Sequence, residues 1–183
     1  MRQVSQNLLV LDATLLNHSA RADNIDLLGN YLKDFECWTT EIVIDELKDG
    51  YPQHSTLRRA VEAEWLNVDP LDTIDGIRAY AEWGRRVGAS ALRHRGEASV
   101  FACTQLRHGV AITDDRQARA VAVAHGIEAH GSLWLLARLV RERVITVAAA
   151  ESFIEALSAE GARLPCKGRE FGAWCARNGI MLA

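Results

Sequence analysis

Short apolar runs alternate with longer stretches of helical spacing along this chain, a pattern that predicts a parallel α/β sheet. The first run, Asn7 to Leu11 (NLLVL), reads as a buried central strand that stops at Asp12. Leu15 and Leu16, then Ile25, Leu27, Leu28, Tyr31 and Leu32, carry helical spacing. Phe35–Thr39 (FECWT) reads as a second strand, followed by a helix over Glu41–Asp49 that ends at Gly50. A helix is expected over Thr56–Glu64 and a third strand over Trp65–Val68. Ile74–Val87 reads as a helix, and past a basic loop at Arg93–Gly96 (RHRG) another runs from Glu97 to Arg107. Val110–Thr113 (VAIT) is a strand running into Asp114 and Asp115, and Arg116–His125 is the next helix. A last short strand at Ile127–Ala129 precedes helices at Ser132–Arg141 and Ala148–Ala159. The less regular tail from Gly161 predicts one or two short helices. The resulting architecture is a three-layer α/β/α fold with a mostly parallel central sheet of about five strands.

Composition narrows the class without naming a function. With 49% hydrophobic and 25% charged residues, the 183-residue chain fits one ordinary globular domain with a modest extension. Cys37, Cys103, Cys166 and Cys175 stand far apart, with no CxxC pair to suggest zinc. Asp12 interrupts the apolar start after LLVL, unlike a secretory leader, and Arg138 breaks SLWLLARLV, so a cytoplasmic protein without a membrane span is expected. The net charge of −3 argues against bulk attraction to nucleic acid. It is still compatible with a nuclease, because carboxylates at a metal site make the bare protein more acidic.

Candidate chemistry lies where the acids fall. Open parallel sheets place ligand sites beyond the carboxyl ends of their strands, and Asp12 and Asp114 each end an apolar run. Glu97 occupies the first turn of a helix, where the dipole favours negative charge. Glu46, between Val43 and Leu47, is expected to point towards the sheet. Singly, each has an ordinary reading as a cap, a dipole-stabilising acid or a solvated side chain. Gathered together, they would repel one another and raise their pKa values, a penalty that a divalent cation removes. Hard oxygen donors suit Mg²⁺ or Mn²⁺.

At these residues the sequence resembles the PIN-domain nuclease family, including the VapC-type toxins of bacterial toxin–antitoxin pairs. LVLDAT aligns Asp12 with the family's first acid and Thr14 with a common hydroxyl. VIDELKDG places Glu46, RGEASVFACTQ assigns Glu97, and VAITDDRQARAVAVAHGIEAHGSLWLLARL supplies Asp114 and Asp115. The resemblance runs from about Leu8 to Thr146, which divides the chain into a nuclease domain over 1–146 and a helical extension over 147–183 that packs on the same domain or a partner. The third acid is Glu97 where toxin-type members often carry Asp, and the GEA and TDDRQAR wording is closer to a less studied branch.

The resemblance implies metal-dependent hydrolysis of RNA, with Asp12, Glu97 and Asp114 as metal ligands, Glu46 holding a water, and Asp115 binding a water or second ion or capping a helix. Thr14 and Thr113 are expected to orient carboxylates. Arg93, Arg95 and Arg116 are the RNA-binding candidates, with Arg85, Arg86 and Arg119 behind them. It also implies a homodimer and, in a toxin role, a small antitoxin partner. The alternative is a catalytically idle PIN-like module that binds nucleic acid or protein. Absence of GxxxxGK[ST] and GxGxxG counts against nucleotide-binding folds. DATLL lacks the second acid of a dehalogenase-type phosphatase, and the features of a response-regulator receiver are missing.

Overall fold

The structure is a computed structural model that describes residues 7–90 and 93–182. In chain order its elements are β1 (Leu8–Leu11), α1 (Ala13–Arg21), α2 (Ile25–Tyr31), β2 (Glu36–Thr40), α3 (Glu41–Asp49), α4 (Arg58–Val61) and β3 (Leu66–Asp69). There follow α5 (Ile74–Val87), α6 (Arg95–Arg107), β4 (Val110–Ile112), α7 (Arg116–Ala124), β5 (Ala129–His130), α8 (Ser132–Arg141), α9 (Val147–Ala159) and α10 (Phe171–Arg177). All five strands are parallel, in the order β3-β2-β1-β4-β5. The chain steps from β1 outward to β3, then crosses back to β4 on the other side. The order therefore reverses between β1 and β4, the place where such sheets bind ligands.

The apolar runs explain the centre of the sheet. Every residue of β1 and β4 is buried, because helices cover both faces and leave no polar side to alternate with. Helix α6 packs on β1, β2 and β4 and is covered in turn by α5. Its buried residues from Ala98 to Thr104 run round the helix, mostly small, as a central helix requires. Trp83 of α5, fully buried, meets Phe101 of α6 with ring centroids 5.3 Å apart. Among the described residues, no helix is long and apolar enough to cross a membrane. Residues before Asn7, part of the start read against a leader, lie outside the described residues.

Three expected elements differ. The helix over Thr56–Glu64 is a 3-10 turn at Ser55–Leu57 and the single turn of α4. The last strand begins at Ala129, because Ile127 N still donates to Ala122 O in the turn that closes α7 around Gly126 at φ 82°. The helix expected from Glu97 starts at Arg95. Beyond Thr146, α9 buries Phe153, Ile154 and Leu157 and packs on α1 and α8.

A short chain of hydroxyls fixes the site's framework. Ser99 Oγ donates to Gly96 O at 2.7 Å, leaving the Thr40 hydroxyl to donate to Ser99 Oγ at 2.6 Å. Thr40 Oγ1 in turn accepts from Val43 N at 3.3 Å as the N-cap of α3. The end of β2, the start of α3 and the first turn of α6 are thereby joined inside the core. Thr40→Val removes the cap and the link together and should lower unfolding stability by about 1–3 kcal/mol, measured by urea denaturation.

Candidate metal centre

The ladder between β1 and β4 does not stop at the last paired residues, since Asp12 N donates to Ile112 O at 3.0 Å. Asp12 is thus held as an extension of the strand, with only 3% of its surface exposed. Thr113 Oγ1, from the residue directly after β4, donates to Asp12 Oδ2 at 2.8 Å, and Thr14 Oγ1 reaches the same oxygen at 3.4 Å. Burial, reinforced by the charge of Glu97, pushes the Asp12 carboxyl up to about 7. The Thr113 hydrogen bond works against that rise, and Glu46 adds to it.

Glu46 is delivered differently from the expectation. Val43, Ile44 and Leu47 take the buried side of α3, and Glu46, exposed as a whole, turns its carboxylate to the start of α6 instead of the sheet. A Cβ at position 96 would sit 2.6 Å from Glu46 Oε2, so only glycine admits this approach. The Gly96 N–H donates to the carboxylate. Burial and then the Glu97 charge still raise the pKa of Glu46, with the Gly96 bond and Arg95 opposing.

The consecutive acids after β4 part company. Asp114 faces the start of α8, where Oδ1 accepts from Ser132 N at 2.9 Å and Oδ2 from Ser132 Oγ at 2.6 Å. Asp115 caps α7 by accepting from Ala118 N at 2.8 Å through Oδ1. Its other oxygen, Oδ2, lies 4.0 Å from His94 Nδ1, and Glu97 Oε1 lies 3.5 Å from the same nitrogen. One ligand atom each from His94, Glu97 and Asp115 fall within 4.8 Å of one another. The geometry therefore groups Asp115, not Asp114, with Glu97. A cleft of about 350 Å³ opens over this group, lined by Thr14, His18, Glu97, Asp114, Asp115 and the segment Gly161–Arg163 after α9.

The arginines scatter. Arg116 and Arg119 line a second cleft of about 530 Å³, which shares Asp114 and Arg163 with the first. Arg119 is also tied to the frame, since Nη1 donates to Thr113 O at 2.6 Å. Arg93 is exposed beside the start of α6. Arg95 bonds Tyr80 and, with Arg85, lines a separate cleft of about 440 Å³. Arg86 pairs with Glu82 and lies 4.6 Å over the Trp83 ring. Sequence reasoning missed Ser132, Arg163 and Gly96. The first has a readable signal, a serine opening a helical pattern; the other two depend on partners far away in the chain.

A family model described as a PIN domain matches residues 8–170, extending past Thr146 into the tail. No curated protein and no solved structure matches the chain.

A buried acid with a raised pKa has a thermodynamic consequence. The folded protein keeps a proton on Asp12 that the unfolded chain has already lost, so unfolding releases a proton between the ordinary value of 3.8 and about 7. Stability of the metal-free protein should therefore fall as pH rises through this window. Asp12→Asn removes the ionisation while its amide oxygen still accepts from Thr113. It should raise metal-free stability at pH 8 by roughly 1–3 kcal/mol, read from urea melts at pH 5 and pH 8.

Proposed function

The chain belongs to the PIN-domain family, with the fold of a nuclease-type hydrolase, and from this premise we propose that it is an endoribonuclease dependent on Mg²⁺ or Mn²⁺. The observation that most supports the reading is the convergence of Glu97 and Asp115, with the charge of Glu97 acting on the buried Asp12 at the reversal point of the sheet. The residues fit a divalent cation. Glu97 and Glu46 both raise the pKa of the buried Asp12, and a buried ring nitrogen near Glu97, His94 Nδ1, has no hydrogen-bond partner. In this assignment Asp12, Glu97 and Asp115 hold the cation, and Asp114 supports the loop.

A bound divalent cation would polarise the scissile phosphate and acidify the attacking water. The protein's own groups do the rest. Thr113 and Thr14 keep Asp12 Oδ2 in one orientation, so no reorganisation accompanies the change in charge. Glu46, with its pKa raised by burial and by Glu97, accepts the proton of the attacking water better than an ordinary glutamate would. Its approach depends on Gly96.

The second cleft supports RNA as the substrate. Arg116 and Arg163 are exposed on it, and neither has an ion-pair partner among the described residues. The His130 and Trp134 rings stack with centroids 3.7 Å apart and planes 6° from parallel, on the same wall as Trp174. Free cations beside aromatic rings suit single-stranded nucleic acid, whose phosphates and bases they would meet in turn. The family resemblance extends the proposal to a homodimer and, in a toxin role, to a small antitoxin partner.

Two comparisons test the assignment. Asp115→Asn preserves the cap of α7, because asparagine caps as well as aspartate. It should nevertheless reduce Mn²⁺-dependent RNA cleavage on the order of 100-fold or more, whereas Asp114→Asn should cost less than about fivefold. Equal losses in both would return Asp114 to the ligand set, and an active Asp115→Asn would remove Asp115 from it. Arg116→Ala and Arg163→Ala should each raise KM for RNA about 3–10-fold with kcat nearly unchanged, the effect shrinking at high salt. An unaltered KM in both would place the RNA elsewhere.

A further inference from the structure

His94 is the one residue of the grouped donors that the acidic mechanism does not use. It sits in the basic loop before α6, in the left-handed region at φ 59° and ψ 19°, a conformation most side chains avoid. As the N-cap of α6 its side chain makes no capping hydrogen bond. Its Nδ1 is buried and has no hydrogen-bond partner, although the side chain as a whole keeps 22% exposure. A buried ring nitrogen left unsatisfied in a strained loop calls for a partner.

The surroundings specify one. Nδ1 is 3.5 Å from Glu97 Oε1 and 4.0 Å from Asp115 Oδ2. Both separations are longer than hydrogen bonds. Donors sharing one ion at about 2.1 Å are spaced roughly 3–4.2 Å apart, and both distances fall in that range. On Asp115 the available oxygen is Oδ2, because Oδ1 is occupied by Ala118 N while Oδ2 is turned to the histidine.

We propose that His94 is a metal ligand through Nδ1, forming with Glu97 Oε1 and Asp115 Oδ2 a mixed nitrogen–oxygen donor set that favours Mn²⁺ over Mg²⁺. The inference rests on the metal-dependent reading above and goes beyond its all-carboxylate site. Imidazole suits transition metals, whereas Mg²⁺ keeps to oxygen donors. Coordination requires the neutral ring with its proton on Nε2. The rival arrangement is a protonated His94 that forms an ion pair with the two carboxylates.

Pulsed EPR of the full chain loaded with Mn²⁺ reads the bond directly, because a coordinated imidazole nitrogen modulates the Mn²⁺ echo. The modulation should be present in the wild type and absent in His94→Gly, a substitution that suits the positive φ and leaves no donor. Calorimetry should show Mn²⁺ affinity weakened at least about tenfold in His94→Gly, with Mg²⁺ affinity changed less than about threefold. His94→Asn, also tolerant of the left-handed conformation, should lose the nitrogen signal too and serves as the control on folding. Mn²⁺ bound without nitrogen modulation, or modulation that persists in both variants, overturns the proposal and leaves the carboxylate site standing. Binding of neither ion to the wild type overturns both.

Discussion

A carboxylate nearly sealed at the end of β1, held by a hydroxyl from the residue after β4, is the constraint around which the rest of the molecule is arranged. The bond from Thr113 to Asp12 crosses the point where strand order reverses, so it joins the two halves of the sheet at the base of the site. Moving Asp12 would break the backbone bond to Ile112 along with the side-chain bonds. Burial makes the charged form of this group costly, and the neighbouring acids increase that cost. A fold that gathers such groups needs stability from elsewhere, and the buried strands β1 and β4 and the buried middle of α6 supply it.

Each acid reaches the site by a separate backbone device. Asp12 continues a strand, Glu46 crosses from α3 through the space left by a missing side chain, Glu97 rides the first turn of α6, and Asp115 is fixed by capping α7. The hydroxyl chain through Thr40 and Ser99 keeps α3 and α6 in the relation that the Glu46 approach demands. Carboxylates of the same type thus differ in role through what their second oxygen is free to do. Asp114 spends both oxygens on Ser132, whereas Asp115 spends one and keeps the other.

Sequence pattern was sufficient wherever local physics decides. β1 and β4 are apolar runs stopped by polar residues, and α5 is bounded by Thr73, which accepts from Gly76 N, and by Gly88 at φ 67°. It was insufficient where a remote partner decides. Glu46 is next to sheet-facing positions in the helical pattern, but its direction is set by Gly96, fifty residues away in the chain. Asp114 and Asp115 are adjacent and both suit a helix start, so the strand-end rule selected the first. β4 in fact ends at Ile112, which gives Thr113 the place facing Asp12, and Ser132 then takes Asp114. Nothing local in the sequence sets His94 apart, because its orphaned nitrogen is a property of packing.

The net charge of −3 also looks different once its distribution is known. A phosphate approaching the protein responds to charges within about one Debye length, roughly 8–10 Å at ordinary salt, and hardly to the molecular total. Negative charge is concentrated where Glu97 and Asp115 meet, the place assigned to a cation. Arg116 and Arg163 flank the adjoining cleft, where they are exposed and unpaired among the described residues. Arg163 and Asp114 border both clefts, so the arginine-lined wall runs directly into the acidic one. A phosphodiester drawn to the arginines would need a neutralised acidic floor before it could move onto the reacting groups. On the proposed function, metal loading and substrate placement would be successive requirements of one surface, and an acidic protein would bind RNA without an overall positive field.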